Sequence, residues 1–533
     1  MFTELEAKAL APYFTNVDKP VFALTGLPET VKGALFARYS RSSKSLRRLF
    51  LDEFLDEAHA VAPAGREVGV ERAARLYERV FNEYGDDSVA QLGGVHLAVE
   101  DASNILTKVL ERGRLMAYLE QSTRYIPYTQ RRGDAWRYLV PAELDGHPLR
   151  ATYVETMNAA FEAYARWIDP MREYFAARHP KAEGDSDAVH RSAIKAKALD
   201  TLRGMLPAAT QSNVGIYGTG QAYEALLLRM RASALAEARG TADLMLEELR
   251  KVIPAFLIRV DQPHRGGVWS RYLEEIGKRT DELAARLDER AGRAHEGEEV
   301  TLTDFDPEGE LKVVAAALYP GSARSDAELA ELARRMTPGE RAAVLTAAVG
   351  DRQNRRHKPG RAFERTSYRF DVLTDYGAFR DLQRHRLLTI DWQALSPRHG
   401  FVLPEAVVEA GGESDFRAVM DRSGELYDAL VDAGLPAIGP YAVSMAFRVR
   451  FVMDMNAREA MHVIELRTTP QGHPAYRRVC QRMHTLIAER AGHRAIADAM
   501  KFADHSGVEL ERLQAERKLE ERRVRAGSGS GPA

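Results

Sequence analysis

Apolar residues recur along this chain in two rhythms, and each predicts a different element. From Val89 to Tyr118 the positions Val95, Ala98, Ala102, Ile105, Leu106, Val109 and Leu110 fall at helical spacing with charge opposite, predicting one long amphipathic helix that ends at Arg112 and Arg114. Helical spacing returns from Ala151 to Arg178, is broken by the polar run His179 to Asp187, and resumes from Ser192 to Leu206. A further helix is expected from about Gln221 to Val252. Beyond that the rhythm changes. Tyr368-Arg369-Phe370-Asp371-Val372 alternates as a strand does, and a helical stretch from Asp375 leads to Arg384-His385-Arg386.

Between these halves, Ala284 to Val300 is charged and rich in Ala, Gly, Arg and Glu, and Val300-Thr301-Leu302-Thr303 then opens a strand-like segment. The expected organisation is therefore a first domain over 1–285, a linker over 286–299, a second domain over 300–510 and an appended segment over 511–533. That last segment reads as a charged helix, Val508 to Arg525, running into a flexible tail, Gly527-Ser528-Gly529-Ser530-Gly531.

Composition changes this picture only by exclusion. At 533 residues the chain exceeds a single core, and 45% apolar with 29% charged residues describes an ordinary globular protein. A net charge of -2 provides no global field for nucleic acid or an anionic membrane, so the arginines must be read locally. The single cysteine, Cys480, excludes an internal disulfide framework and a cysteine zinc cluster, and reads as a core thiol. The acidic start Phe2-Thr3-Glu4-Leu5-Glu6 is no signal peptide, and no apolar run nears the ~20 residues that span a bilayer. A cytoplasmic protein without a membrane partner is expected.

One set of motifs occurs twice. The first copy reads Arg112-Gly113-Arg114, Glu120-Gln121-Ser122-Thr123-Arg124-Tyr125 and Arg203-Gly204-Met205-Leu206-Pro207. The second reads Arg384-His385-Arg386, Ser396-Pro397-Arg398 and Asn456-Ala457-Arg458 through Leu466-Arg467. Seven residues separate the first triplet from its serine, and nine separate the second. Paired guanidiniums suit bidentate recognition of phosphate or pyrimidine carbonyls. Alone, such a pair is more often a solvated helix face. No Walker loop and no His-Glu-X-X-His occurs, and Gly218-Thr219-Gly220 lacks the third glycine of a dinucleotide motif.

In combination these motifs resemble those of the flavin-dependent thymidylate synthases, with an Arg-His-Arg triplet, a Ser-X-Arg-Tyr loop, an arginine before Leu-Pro, an Asn-X-Arg segment and a late arginine. Each copy departs from that pattern where the other keeps it. Gly113 replaces the histidine, and Gly220 or a neighbour stands for the asparagine. In the second copy His399 replaces the tyrosine, and Pro440-Tyr441-Ala442-Val443-Ser444 replaces the arginine-leucine-proline element.

The resemblance implies an α/β (α+β) fold of two tandem domains, each an antiparallel sheet packed with long helices. It implies one live composite site and one degenerate one, in which Arg112 and Arg114 would face Ser396 and Pro440. In the live site Ser122, Arg384 and Arg467 would be catalytic. Glu120, Gln121, Ser122, Thr123, Arg124, Arg203, Arg384 and Arg467 would hold the substrate. Arg384, His385, Arg386, Asn456, Arg458, His462, Arg361 and Glu120 would hold the cofactor FAD, and no metal is expected. His462 stands where the family commonly has asparagine and still donates one hydrogen bond.

By the same resemblance the reaction is methylation of dUMP to dTMP with methylenetetrahydrofolate and NADPH, by a homodimer that mimics the family's tetramer. Three alternatives remain open: a non-catalytic flavin- or nucleotide-binding paralogue, methylation of another pyrimidine nucleotide, and RNA binding or modification. Against the last stands the absence of a basic stretch interleaved with aromatics.

Overall fold

Among the residues described by the computed structural model, 2–39, 42, 44–55, 91–124, 126–291 and 297–528, seven strands form two antiparallel sheets. Tyr125 of the Ser-X-Arg-Tyr loop and the tail from Gly529 lie outside the described residues. The first sheet takes β1 (Gly94–Ser103), β2 (Met116–Glu120) and β3 (Gln211–Thr219) in the order β1-β3-β2. The second takes β4 (Val300–Phe305), β5 (Ser367–Asp375), β6 (Thr389–Trp392) and β7 (Arg448–Asn456) in the order β4-β5-β7-β6. The triples β1-β3-β2 and β5-β7-β6 repeat one arrangement, as the duplicated motifs led us to expect.

The repeat extends to how strands end. Four strands run straight into helices, and at each junction a short polar side chain accepts a hydrogen bond from the amide three residues on. These are Ser103 to Leu106 (2.9 Å), Thr219 to Ala222 (3.3 Å), Asp375 to Ala378 (2.9 Å) and Asn456 to Glu459 (2.9 Å). Each is extended in its own backbone conformation or closes an extended strand, so it satisfies one orphan amide while turning the chain without a loop. The helices that follow are Asn104–Leu110, Gly220–Arg231, Tyr376–Gln383 and Ala457–Arg467.

These junctions correct the helix expected from Val89 to Tyr118, of which Val89 lies outside the described residues. Val95, Leu97 and Val99 alternate with His96, Ala98 and Glu100, so the segment forms β1, the short helix Asn104–Leu110 and then β2. Alanine at 98 and 102 fitted the helical period because so small a side chain sits on either face. The helix expected from Gln221 to Val252 is two helices, Gly220–Arg231 and Ala236–Arg250, parted at Ser233, whose hydroxyl accepts from the Leu235 amide (3.2 Å). The second long helix starts earlier than expected, at Asp187, because Ser186 caps it, and it ends at Leu202. The last helix is Leu513–Ser528.

The chain divides into two compact units, Met1–Ala102 with Val109–Gln121 and Ser212–Arg293, and Ser103–Lys108 with Ser122–Gln211 and Ala294–Ala533. In the first unit the Tyr223 hydroxyl, buried under the sheet, donates to the carbonyl of Val95 (3.0 Å). The second unit mixes both halves of the sequence in one core, from Phe161 and Leu199 to Phe370, Phe451 and Met483. Its two proline-containing motif segments pair with each other in antiparallel fashion about Pro207 and Ser444. Ala208 donates to Val443 (2.8 Å), Ala209 to Tyr441 (3.1 Å), Met445 to Leu206 (2.9 Å) and Ala446 to Gly204 (3.0 Å). Gly204 permits this approach, since a Cβ there would lie 2.9 Å from that of Ala446. The pairing sets Arg203, from the first copy, among the elements of the second.

Candidate functional site

Two buried carboxylates organise the motif arginines of the second unit. Asp200, near the end of helix Asp187–Leu202, takes three contacts from Arg124: Nε reaches both carboxylate oxygens at 2.9 Å and Nη2 reaches one at 2.7 Å. Asp381, on helix Tyr376–Gln383, accepts from Arg384 and lies 3.6 Å from Nη1 of Arg467. Arg203 joins the two, with Nη1 at 3.7 Å from each carboxylate. Burial works to raise the pKa of Asp381, but Arg384, Arg467, Arg203 and Arg124 outweigh it and hold the carboxyl well below its ordinary range. Tyr476 lies between cations: its hydroxyl accepts from Nη1 of Arg124 (3.1 Å), and the Arg467 guanidinium sits 5.5 Å from its ring centroid.

This set of four guanidiniums and two carboxylates carries two positive charges in excess, which suits a phosphate dianion. Arg203 is the most buried member at 4% exposure, and its Nη2 has no hydrogen-bond partner among the described residues. It lies flat against Gly377, where a Cβ would fall 2.9 Å from Nε and 3.0 Å from Nη2. A cavity of about 420 Å³ borders Arg203, Asp200, Lys197, His473 and Arg478.

Beside this cluster, Nε of Arg467 donates to Nε2 of His385 (2.8 Å), so the imidazole proton sits on Nδ1, 3.7 Å from Glu459. Burial, then Arg467, His462 and Arg384, push the His385 pKa well below its usual value, and the ring is neutral. Burial lowers His462 to about 4, aided by Lys358, Arg355 and Arg467. Burial raises Glu459 to about 7 against the pull of Lys358, Arg458 and Arg386. The ligand atoms of His385, Glu459 and His462 fall within 4.8 Å of one another, a spacing a metal ion would accept. The surrounding cations instead favour an anionic or polar partner.

The same donors fit a flavin. Arg386, Arg458 and Lys358 act on the Glu459 carboxylate, and Lys358 and Arg355 on the neighbouring His462, a set of cations that suits a diphosphate, and the neutral imidazoles suit a polar ring edge. Arg458 donates to the Pro359 carbonyl (2.9 Å) and reaches Glu364 (3.4 Å), which also binds the exposed Arg361 (3.0 Å). The Asn456 carbonyl oxygen is committed to its helix cap.

Of the other expected site residues, Ser122 closes a turn by accepting from the Arg124 amide (3.2 Å), and Thr123 accepts from Arg380 (3.2 Å). Glu120 and Gln121 belong to the first unit, where Glu120 ends β2 opposite Val214 and Gln121 donates to Asn213 (2.8 Å). Arg112 and Arg114 also belong to that unit, and Ser396 to the second. A histidine at Gly113 would have to displace the Tyr118 hydroxyl, since a Cβ there would lie 2.6 Å from it.

The sequence profile described as "Thymidylate synthase complementing protein" matches this chain twice, over residues 32–255 and 301–491. The chain belongs to this family of flavin-dependent thymidylate synthases. A UPF0159 protein of Chlamydia muridarum is 36% identical over 97% of this chain and 98% of its own length. One from Thermoplasma acidophilum is 31% identical over 91% and 97%. The flavin-dependent thymidylate synthase of Clostridium tetani is 27% identical over 35% of this chain and 74% of its own. The solved structure of the UMP/dUMP methylase PolB from Streptomyces cacaoi, bound with 5-Br dUMP, aligns at 23% identity with a TM-score of 0.30, covering 37% of this chain and 94% of that one.

Reading the family motifs missed Asp200, Asp381, Glu459 and Tyr476. A signal for the first two was present, since each aspartate stands three residues before a motif arginine, Asp200 before Arg203 and Asp381 before Arg384, on one helical face. Cys480 is the buried thiol expected, and burial pushes it up to about 12 rather than the nearby arginines pulling it down.

Proposed function

We propose that this chain is a cytoplasmic flavin-dependent thymidylate synthase that methylates dUMP to dTMP, with methylenetetrahydrofolate as carbon donor and NADPH as reductant. The observation that carries this reading is the convergence of Arg124 and Arg203 from one copy with Arg384 and Arg467 from the other around Asp200 and Asp381. The copies are taken as 1–285 and 300–510, joined by 286–299 and followed by 511–533, and the active form as a homodimer.

Arg124 and Arg203, with the Ser122 turn, bind the nucleotide phosphate. Arg384 and Arg467 face the pyrimidine, where fixed positive charge favours negative charge developing at N3 and O4 and makes C5 nucleophilic. His385, held neutral with its proton on Nδ1, orients Arg467 through its other nitrogen. His385, Arg386, Arg458 and His462 hold the flavin, with Asn456 and Arg361 as further contacts. When bound, that group supplies the reducing equivalents.

A second reading is favoured by one observation: Asp200 and Asp381 already engage the guanidiniums that a phosphate would use. A non-catalytic nucleotide-binding paralogue would tolerate that arrangement. Turnover separates the two. Purified chain supplied with FAD, NADPH, methylenetetrahydrofolate and dUMP should form dTMP, and Arg467→Ala should not. Nucleotide binding without dTMP would select the second reading.

A further inference from the structure

The helix Gly266–Ala291 of the first unit buries only Gly266. Its Ser270 hydroxyl ties the first turns down by donating to the Leu228 carbonyl (3.2 Å), and from Glu274 onward every residue is exposed. Yet the sequence is that of a packed helix. Trp269, Leu273, Ile276, Thr280, Leu283 and Leu287 follow one another at spacings of four, three, four, three and four, the a/d repeat of a coiled-coil seam. Trp269, Ile276, Leu283 and Leu287 are 53%, 42%, 50% and 59% exposed. Thr280 does not interrupt the seam, since its hydroxyl donates back to the Ile276 carbonyl (2.8 Å). So long an apolar stripe on a solvated helix marks a docking face.

Charge identifies its occupant. Residues 266–279 carry Arg271, Lys278 and Arg279 against Glu274 and Glu275, a net +1. Residues 280–291 carry Asp281, Glu282, Asp288 and Glu289 against Arg286 and Arg290, a net -2. The helix is therefore complementary to itself when reversed. An antiparallel copy with its two-fold axis at Lys278 sets Trp269 against Leu287, Leu273 against Leu283 and Ile276 against Thr280, so that each position of the seam meets another seam position. Gly277 then lies at the crossing. Among the described residues nothing lies within 4 Å of where its Cβ would be, so packing among them does not account for a residue that weakens an exposed helix.

We propose that the Gly266–Ala291 helix is the surface through which two copies of this chain associate, antiparallel and about a two-fold axis. This names the interface of the homodimer in the proposed function and rests on that part of it alone. The test is the mass of the full chain by sedimentation equilibrium without nucleotide or flavin, so that failure of the enzymatic reading leaves it intact. The wild type should sediment at twice 59.5 kDa. Ile276→Lys with Leu283→Lys should sediment at that mass halved, with an unchanged circular dichroism spectrum. Gly277→Cys should cross-link to its own copy under oxidation, which is clean because Cys480 is buried. A monomeric wild type overturns the proposal. So does a double variant that stays dimeric, a fall in its melting temperature without a change in mass, or a dimer that Gly277→Cys fails to cross-link.

Discussion

Arg203 and Asp381 hold their charges 3.7 Å apart, although the first belongs to the amino-terminal set of motifs and the second precedes the triplet of the other. This contact joins the two sets in one buried cluster, and Asp381 lies among guanidiniums that a nucleotide would use. A carboxylate there competes with the ligand it helps to position. Replacing Asp381 by Asn raises the charge of the cluster by one, and at such distances one charge is worth about 1.4 kcal/mol or more, roughly tenfold in affinity. We expect dUMP to bind Asp381→Asn about tenfold more tightly by calorimetry while its melting temperature falls. Weaker binding would mean that Asp381 only positions the arginines.

Arg124 and Asp200 are a buried pair with side chains 9% and 8% exposed. Arg124→Ala strands a carboxylate and should lower the unfolding free energy by about 3–5 kcal/mol. Adding Asp200→Ala should recover part of that loss in urea titrations without recovering dUMP binding. Restored binding would remove Arg124 from the site.

Gly377 carries no side chain because the Arg203 guanidinium occupies that space. Gly377→Ala should displace side-chain atoms of Arg203 and Asp375 rather than backbone. We expect dUMP affinity to fall roughly tenfold, about 1.4 kcal/mol, with a change in melting temperature of only a few degrees. Unchanged affinity would show that Arg203 does not touch the nucleotide from this position.

Glu459 is raised from 4.5 to about 7 by burial. Between these values the unfolded chain has released a proton that the folded chain keeps, so this group's contribution to stability falls as pH rises through the window. His462, lowered from 6.5 to about 4, acts in the opposite sense, gaining stability as pH rises across its own window. A difference isolates the first effect. Glu459→Gln should gain on wild type by about 3 kcal/mol between pH 4.5 and 7 in unfolding titrations. A flat difference would contradict the assignment.

Much of the fold was legible in the chain. The Arg-His-Arg triplet, the Asn-X-Arg segment and Arg203 before Leu-Pro were enough for the family and for antiparallel sheets with long helices. The alternation at Tyr368 to Val372 located β5. The strand β1 was not legible because its alanines satisfied the helical period as well as the strand period, whereas the cap at Ser103 settles which one holds. The acidic half of the site was hidden for a different reason. Motif reading attends to cations that meet a ligand, whereas Asp200 and Asp381 matter through the cations they hold. Nor could spacing show that Gly113 lies under the Tyr118 hydroxyl, which any side chain at that position would have to displace.

We propose that one nucleotide site, built on Arg124, Arg203, Arg384 and Arg467, works beside one flavin. The visible spectrum of the flavin-loaded chain during a dUMP titration tests it most directly. We expect one flavin per chain and a saturable spectral shift that Arg112→Ala preserves and Arg467→Ala abolishes. Two flavins per chain, a shift lost equally in both variants, or no shift at all would contradict it.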